Sequence, residues 1–202
     1  MKKFMILMLS SFLIITIGLG WSFVQMPQAS VIPSGHLQWV LGNILPTIGI
    51  GGFSQIGIEG EGFFEEIQLL KEPVDASVGM MIRTTEKNSL FMAMGKKLKY
   101  LGISTAISYN YSTLSTPTTS FTLYTALNVP TNVGDFRIEY KKGSSINLLV
   151  AGIAGKFKAN EHVKWLFNSI TVAVGLGWNL SKMKNYLPSQ TYFVFQYTKF
   201  LK

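Results

Sequence analysis

Ile170-Thr171-Val172-Ala173-Val174-Gly175-Leu176-Gly177-Trp178-Asn179-Leu180 is the stretch on which the fold turns. Every even position carries a large apolar side chain, and every odd one carries Thr, Ala, Gly or Asn. A spacing of two puts the first set on one face of an extended strand and the second set on the other. A helix would need apolar residues three and four apart, and glycines at 175 and 177 would weaken it further. The run is also longer than the usual strand of about 5–6 residues. It matches the roughly 9–11 residues that a tilted strand needs to cross a bilayer.

The same period recurs outward from this segment in both directions. Ile48 and Ile50 alternate with Gly49 and Gly51, and Ile56 and Ile58 flank Gly57. Val74, Ala76, Val78, Met80 and Ile82 make another row. Leu101, Ile103, Thr105, Ile107, Tyr109 and Tyr111 make a third, set against Gly102, Ser104, Ala106, Ser108 and Asn110. Phe121, Leu123, Thr125, Leu127 and Val129 follow, and Phe193, Phe195 and Tyr197 close the series. Weaker strands are expected at 63–71, 89–96, 133–141 and 145–157, with Phe63–Ile67 also readable as a turn of helix. Gly, Pro, Asn and Lys clusters near 86–88, 115–117, 130–134, 142–144 and 182–188 punctuate the rows as turns. The count from residue 47 onward is about ten strands, with eight as the alternative, since single-chain bacterial barrels use even numbers.

The composition indicates which face is which. Only 14% of residues are charged although 48% are hydrophobic, whereas a soluble domain carries roughly a quarter charged. The rows opposite the apolar ones hold Gly, Ala, Ser, Thr and Asn, a poor surface for water but a good filling for the interior of a small barrel. Expected fold: a closed antiparallel up-and-down transmembrane β-barrel. Leu101, Ile103, Ile107, Ile170, Val172, Val174 and Leu176 are then expected to face lipid. Tyr109, Tyr111, Trp178, Tyr192 and Tyr197 are expected at the membrane–water boundary, with Phe121, Tyr140 and Phe200 near strand ends as well.

The beginning of the chain carries a second signal. Met1-Lys2-Lys3 is a short basic start, Phe4 to Leu19 is apolar and uncharged, and Gly18-Leu19-Gly20 supplies small residues before Trp21. This pattern reads as a secretory signal peptide over 1–20, cut near Gly20, with an uncleaved anchor as the alternative. Residues 21–46 are expected to be irregular, since Pro27, Pro33, Ser34-Gly35 and Pro46 interrupt them. His36–Val40 reads as a short strand or an N-terminal cap. The barrel is then expected over 47–202.

With leader, alternating segments and an aromatic-rich last strand from Gln190 to Leu201, the chain resembles small bacterial outer-membrane barrels. The resemblance is one of pattern over about 47–202. It implies an outer-membrane location, outer-membrane lipid as the surrounding partner, and insertion by the barrel-assembly machinery. The chain departs from the pattern at its end, Phe200-Leu201-Lys202, where such barrels often finish on an aromatic residue. Long loops in these proteins face outward and tight turns inward. The polar connections 112–118 and 181–189 fall on one side, but 158–168 falls on the other.

Other chemistry is sparse. Net charge is +8, or +6 without Lys2 and Lys3, yet Arg occurs only at Arg83 and Arg137 and no basic cluster is interleaved with aromatics, so nucleic acid is set aside. With no cysteine there is no disulfide, Cys-ligated metal, Cys nucleophile or lipid-modified N-terminal Cys. His162, near Ser169, is the one pair that could serve a lipid-modifying enzyme, though a solvated loop histidine accounts for it as well. Glu59, Glu61, Glu65 and Glu66 form an acidic cluster without calcium-loop spacing. Gly49–Gly52 lacks the Lys-Ser/Thr of a phosphate loop. Lys96, Lys97 and Lys99, and Lys141 with Lys142, sit at turns where they meet water or lipid head groups. No catalytic, metal or cofactor site is expected. The functional expectation is a non-enzymatic outer-membrane barrel, structural or a small passive channel. Two alternatives stand beside it: a soluble exported barrel that carries an apolar ligand, and a lipid-modifying barrel enzyme.

Overall fold

The computed structural model describes residues 27–40, 47–59, 62–83, 87–112, 118–131, 134–159, 162, 164, 166–182 and 187–201. The leader expected over 1–20 lies outside them. Twelve strands are present among the described residues: β1 (His36–Val40), β2 (Thr47–Ile50), β3 (Ser54–Glu59), β4 (Gly62–Lys71), β5 (Asp75–Arg83), β6 (Lys87–Lys97), β7 (Gly102–Ser112), β8 (Thr119–Pro130), β9 (Asp135–Lys142), β10 (Asn147–Lys158), β11 (Ser169–Asn179) and β12 (Gln190–Phe200). Each pairs antiparallel with its neighbours in sequence. β1 returns to β12, from His36 opposite Phe200 to Val40 opposite Gln196, and closes the barrel.

The closed up-and-down barrel is the one that the alternation predicts, but with twelve strands instead of ten or eight. Two local causes account for the difference. Gly51 and Gly52 adopt φ of 61° and 75°, and the Phe53 amide donates to the Ile50 carbonyl at 3.3 Å. Two successive left-handed residues make the tight turn whose twist suits a hairpin, so 47–59 is two strands. The second cause is His36–Val40, which is a full member of the wall, so the sheet begins inside the segment expected to be irregular. Phe63–Ile67 is strand, within β4.

Among the described residues β4 to β12 are 8 to 12 residues long, and β1, β2 and β3 have 5, 4 and 6. Register pairs join β1 to β2 at Leu37–Ile48 and Gln38–Thr47, and β2 to β3 from Ile48–Ile56 to Ile50–Ser54.

Register assigns the faces. Residues opposite one another point to the same side, so Ala106 of β7 shares the inside with Ala93 and Tyr124. Ala93, Ala106, Ala126, Val150, Ala154, Ala173 and Val194 form one buried inner cluster. Gly177 shows why the inner row is small. A Cβ there would lie 2.5 Å from the Tyr192 ring, so the glycine is the space in which that ring sits.

Leu201 donates its amide to the Gly35 carbonyl at 2.6 Å, which brings both described chain ends to one end of the barrel, here called the terminal end. The connections 51–53, 72–74, 98–101, 131–134 and 159–168 share that end. The connections after β1, β3, β5, β7, β9 and β11 share the far end. The longer connections 113–118 and 180–189 are therefore on the same side, and 159–168 is a long connection on the side of the termini.

Candidate functional site

The outer face bounds the site. Ile103, Ile107, Val174 and Leu176 are 47%, 42%, 45% and 42% exposed. Ile170 and Val172 share their row and are half-buried. Leu101 is placed differently from its expectation: β7 begins at Gly102, and Leu101 lies half-buried in the 98–101 turn, on the lining of an open cavity. Leu90, Met92, Met94, Leu123 and Ile153 extend the exposed apolar band around the barrel. Away from the last two residues of each strand, Glu65 is the single charged side chain on the described outer face. It sits between Phe63 and Ile67 on its strand, and across from Ile56 and Met80.

Aromatic rings gather toward the strand ends of this face. Tyr109 stacks with Tyr111 at 6.0 Å and tilts against Phe121 at 5.1 Å, and Trp39 meets Tyr197 at 5.6 Å. Trp178 lies one residue from the end of β11. Tyr192, expected among these boundary rings, points inward instead. It pairs with Gly175 on the inner row, is 6% exposed, and hydrogen-bonds through its hydroxyl to Gln190. The even positions of β12 face in, and position in the strand decides the side regardless of residue type.

Beside its small apolar cluster the lumen carries buried polar groups, which the outside lacks. Gln55, Glu66, Ser77, Ser108, Glu139, Thr171 and Gln196 are all buried on inner positions. Gln55 Nε2 donates to Glu66 Oε2 at 2.6 Å. Ser108 Oγ donates to Asn110 Oδ1, and Asn110 Nδ2 donates to Thr122 Oγ1, both at 3.1 Å. β9 turns four successive inner positions into charges: Asp135, Arg137, Glu139 and Lys141. Arg137 Nε donates to the fully buried Glu139 carboxylate, and Lys141 Nζ stands 5.2 Å from the Tyr124 ring centre. Unpaired, a charge in such a place would cost several kcal/mol, so the Arg137–Glu139 pair is a structural requirement of this row.

Residues 27–35 belong to no strand, and they run along the inside of the wall at the terminal end. Ser77 Oγ donates to the Gln28 carbonyl at 2.6 Å, and the Ile32 amide donates to Gln55 Oε1 at 2.8 Å. Ala29 and Ile32 are buried, and Ala29 joins the inner cluster of Ala93, Ala106 and Ala126. At Pro33-Ser34-Gly35 the chain reverses, with the His36 amide donating to the Pro33 carbonyl at 3.1 Å, and enters β1. Beside this segment is a cavity of about 240 Å³ whose lining includes Gln28, Asp75, Lys97, Asn128, Asp135 and Arg137.

The remaining candidates do not come together. His162 is exposed in the 159–168 connection, while Ser169 is buried at the start of β11; no hydrogen bond joins them among the described residues. The acidic cluster is divided by strand geometry. Glu65 is outside, Glu66 is inside, Glu59 ends β3, and Glu61 lies outside the described residues. Among the described residues no three His, Cys, Asp or Glu side chains group to hold a metal ion. Gly49–Gly52 is strand and hairpin turn. His36 packs its ring on Phe200 at 4.8 Å. Neither a protein-family model, nor a curated protein, nor a solved structure matches this chain.

Sequence reasoning missed the luminal segment. Its polar partners Gln55 and Ser77 and the adjoining Gly95 lie on three different strands, and nothing in the local pattern of 27–33 points to them.

Proposed function

We propose that the protein is an outer-membrane β-barrel with a structural or small passive-channel role, non-enzymatic, embedded in lipid through its outer face. One observation carries this reading. The exposed side of the long strands is a band of Leu, Ile, Val, Met and Phe, with Thr105 and Thr125 among them and one charge between strand ends, while the Gln, buried Glu and ion-paired residues lie on the inner side beside a cluster of small apolar residues. In water this is an inverted arrangement, since apolar exposed patches of a monomer are usually limited to a few hundred Å². In hydrocarbon it is the expected one, because every backbone polar group is paired within a closed sheet and the side chains match the solvent. β4 to β12, at 8 to 12 residues, are of the length that a tilted strand needs.

A soluble carrier of an apolar ligand would place these rows inside, around its cargo. The experiment is fractionation of cells expressing the protein, followed by detergent extraction and electrophoresis with and without boiling. Recovery in the outer-membrane fraction and a heat-dependent shift in migration support the proposal. A mature protein that stays in solution without detergent refutes it. Bilayer recordings then separate a channel from a structural barrel.

A further inference from the structure

We propose that Pro27–Pro33 is a seated strap that closes the lumen at the terminal end, and that its release opens a water-filled path through the barrel. This deepens the proposed function by assigning that same lumen a gate, and it rests on reading the barrel as a conduit.

The wall carries a seat shaped for this segment. A Cβ at Gly49 would lie 2.3 Å from the Ile32 carbonyl oxygen and 2.4 Å from that of Pro33, so only glycine lets the strap lie this close to β2. A Cβ at Gly95 would lie 3.1 Å from the Ala29 Cβ. Between these points Gln55 and Ser77 reach from β3 and β5 to the strap backbone. The strap thus crosses the inner faces of β2, β3, β5 and β6.

The attachment is firm enough to seat the segment and weak enough to release it. Strand ladders hold none of 27–33, so leaving the seat breaks no strand pairing. Its buried apolar residues are Pro27, Ala29 and Ile32, and the other four are exposed or half-buried. Its joint to the wall is the turn at Pro33-Ser34-Gly35, with Gly35 at φ 71°, a conformation that glycine adopts freely. Once the strap departs, the uncovered surface is Gly49, Gln55, Ser77 and Gly95 with the small Ala93 and Ala106, continuous with the cavity at Lys97, Asn128 and Arg137. No large apolar side chain is among these residues, and Gln55, Ser77, Lys97, Asn128 and Arg137 offer polar partners to water.

The chain has no cysteine, so single-cysteine reporters are clean. Ala106→Cys places a thiol in the inner cluster that includes Ala29. In the full-length protein folded in detergent, a water-soluble maleimide is expected to label this thiol slowly. Labelling is expected to be at least tenfold faster when Gly49→Val is added, and several-fold faster with the milder Ser77→Ala, which removes only the hydrogen bond to Gln28. In a separate protein, oxidised Ala29→Cys/Gly95→Cys pins the strap, and bilayer conductance is expected to rise on reduction. Folding of each variant is checked by its heat-dependent migration. Unchanged labelling in a folded Ser77→Ala and a folded Gly49→Val, or equal conductance before and after reduction, overturns the strap. Failure of the membrane reading is separate: the protein would remain soluble without detergent while the labelling difference persisted.

Discussion

Val174→Arg tests the membrane reading at its most sensitive place. Val174 is the middle residue of β11, is 45% exposed, and lies between Ile153 of β10 and Phe193 of β12 on the outer face. If that face meets hydrocarbon, an arginine there costs about 2–4 kcal/mol near the bilayer midplane, roughly a 30- to 800-fold change in the folding equilibrium. If the face meets water, a substitution at an exposed strand position changes stability by at most about 0.5 kcal/mol. The two environments therefore differ by more than 1 kcal/mol. Phe157→Arg is the internal control. Phe157 is 62% exposed on the same face but one residue from the end of β10, where the lipid penalty falls to about 0–1 kcal/mol. The assay is reversible urea unfolding in lipid vesicles, followed by tryptophan fluorescence and by migration without boiling. Val174→Arg destabilised by 2 kcal/mol or more, and by clearly more than Phe157→Arg, is the expected result. Equal stability of the two variants and the parent would refute the reasoning.

The other predictions use the same preparation. Glu65→Leu removes the lone charge from the apolar band and is expected to stabilise the folded protein in vesicles by about 1 kcal/mol, since a carboxylate costs less there than an arginine; a loss of stability would show that Glu65 has a favourable partner. Arg137→Ala takes the guanidinium away from the fully buried Glu139 carboxylate, and should cost about 3 kcal/mol in the same urea titration. Changing both Arg137 and Glu139 to neutral residues is expected to recover part of that cost, and a double-mutant cycle measures the coupling. With Arg137 neutralised by Glu139, Lys97, Lys156 and Lys158 outnumber Asp75 and Asp135 on inner positions at the terminal end of an opened barrel. Reversal potentials in a salt gradient should therefore favour the anion, and a Lys156→Glu/Lys158→Glu protein should move toward the cation.

What the sequence discloses depends on how far apart the interacting residues are. Ile170 to Trp178 announce a two-faced strand because the pattern is carried by adjacent residues, and the structure alternates buried and exposed along it. The sides of Ile103, Ile107, Val174 and Leu176 follow from the same rule. The strand count goes astray at Gly51-Gly52, since a glycine inside an alternating row reads equally as an inner position or as a turn, and only its left-handed φ separates the two. Tyr192 is misassigned because tyrosine suits a boundary in general, while its position in β12 puts it over Gly177. The lumen is legible in part. Arg137, Glu139 and Lys141 share one parity on β9, but their enclosure depends on the neighbouring strands. The strap is not legible at all, because Gly49, Gln55, Ser77 and Gly95 come together only when the barrel has formed.

The seam between the first and last strands sets when this cylinder can close. His36 to Val40 lie opposite Phe200 to Gln196, so the pairing that seals the wall joins the two most distant strands of the sequence, while each other pairing joins neighbours in sequence. Contacts between distant segments carry the largest loop-closure cost and form slowly, so the wall is sealed last, once β12 is in place.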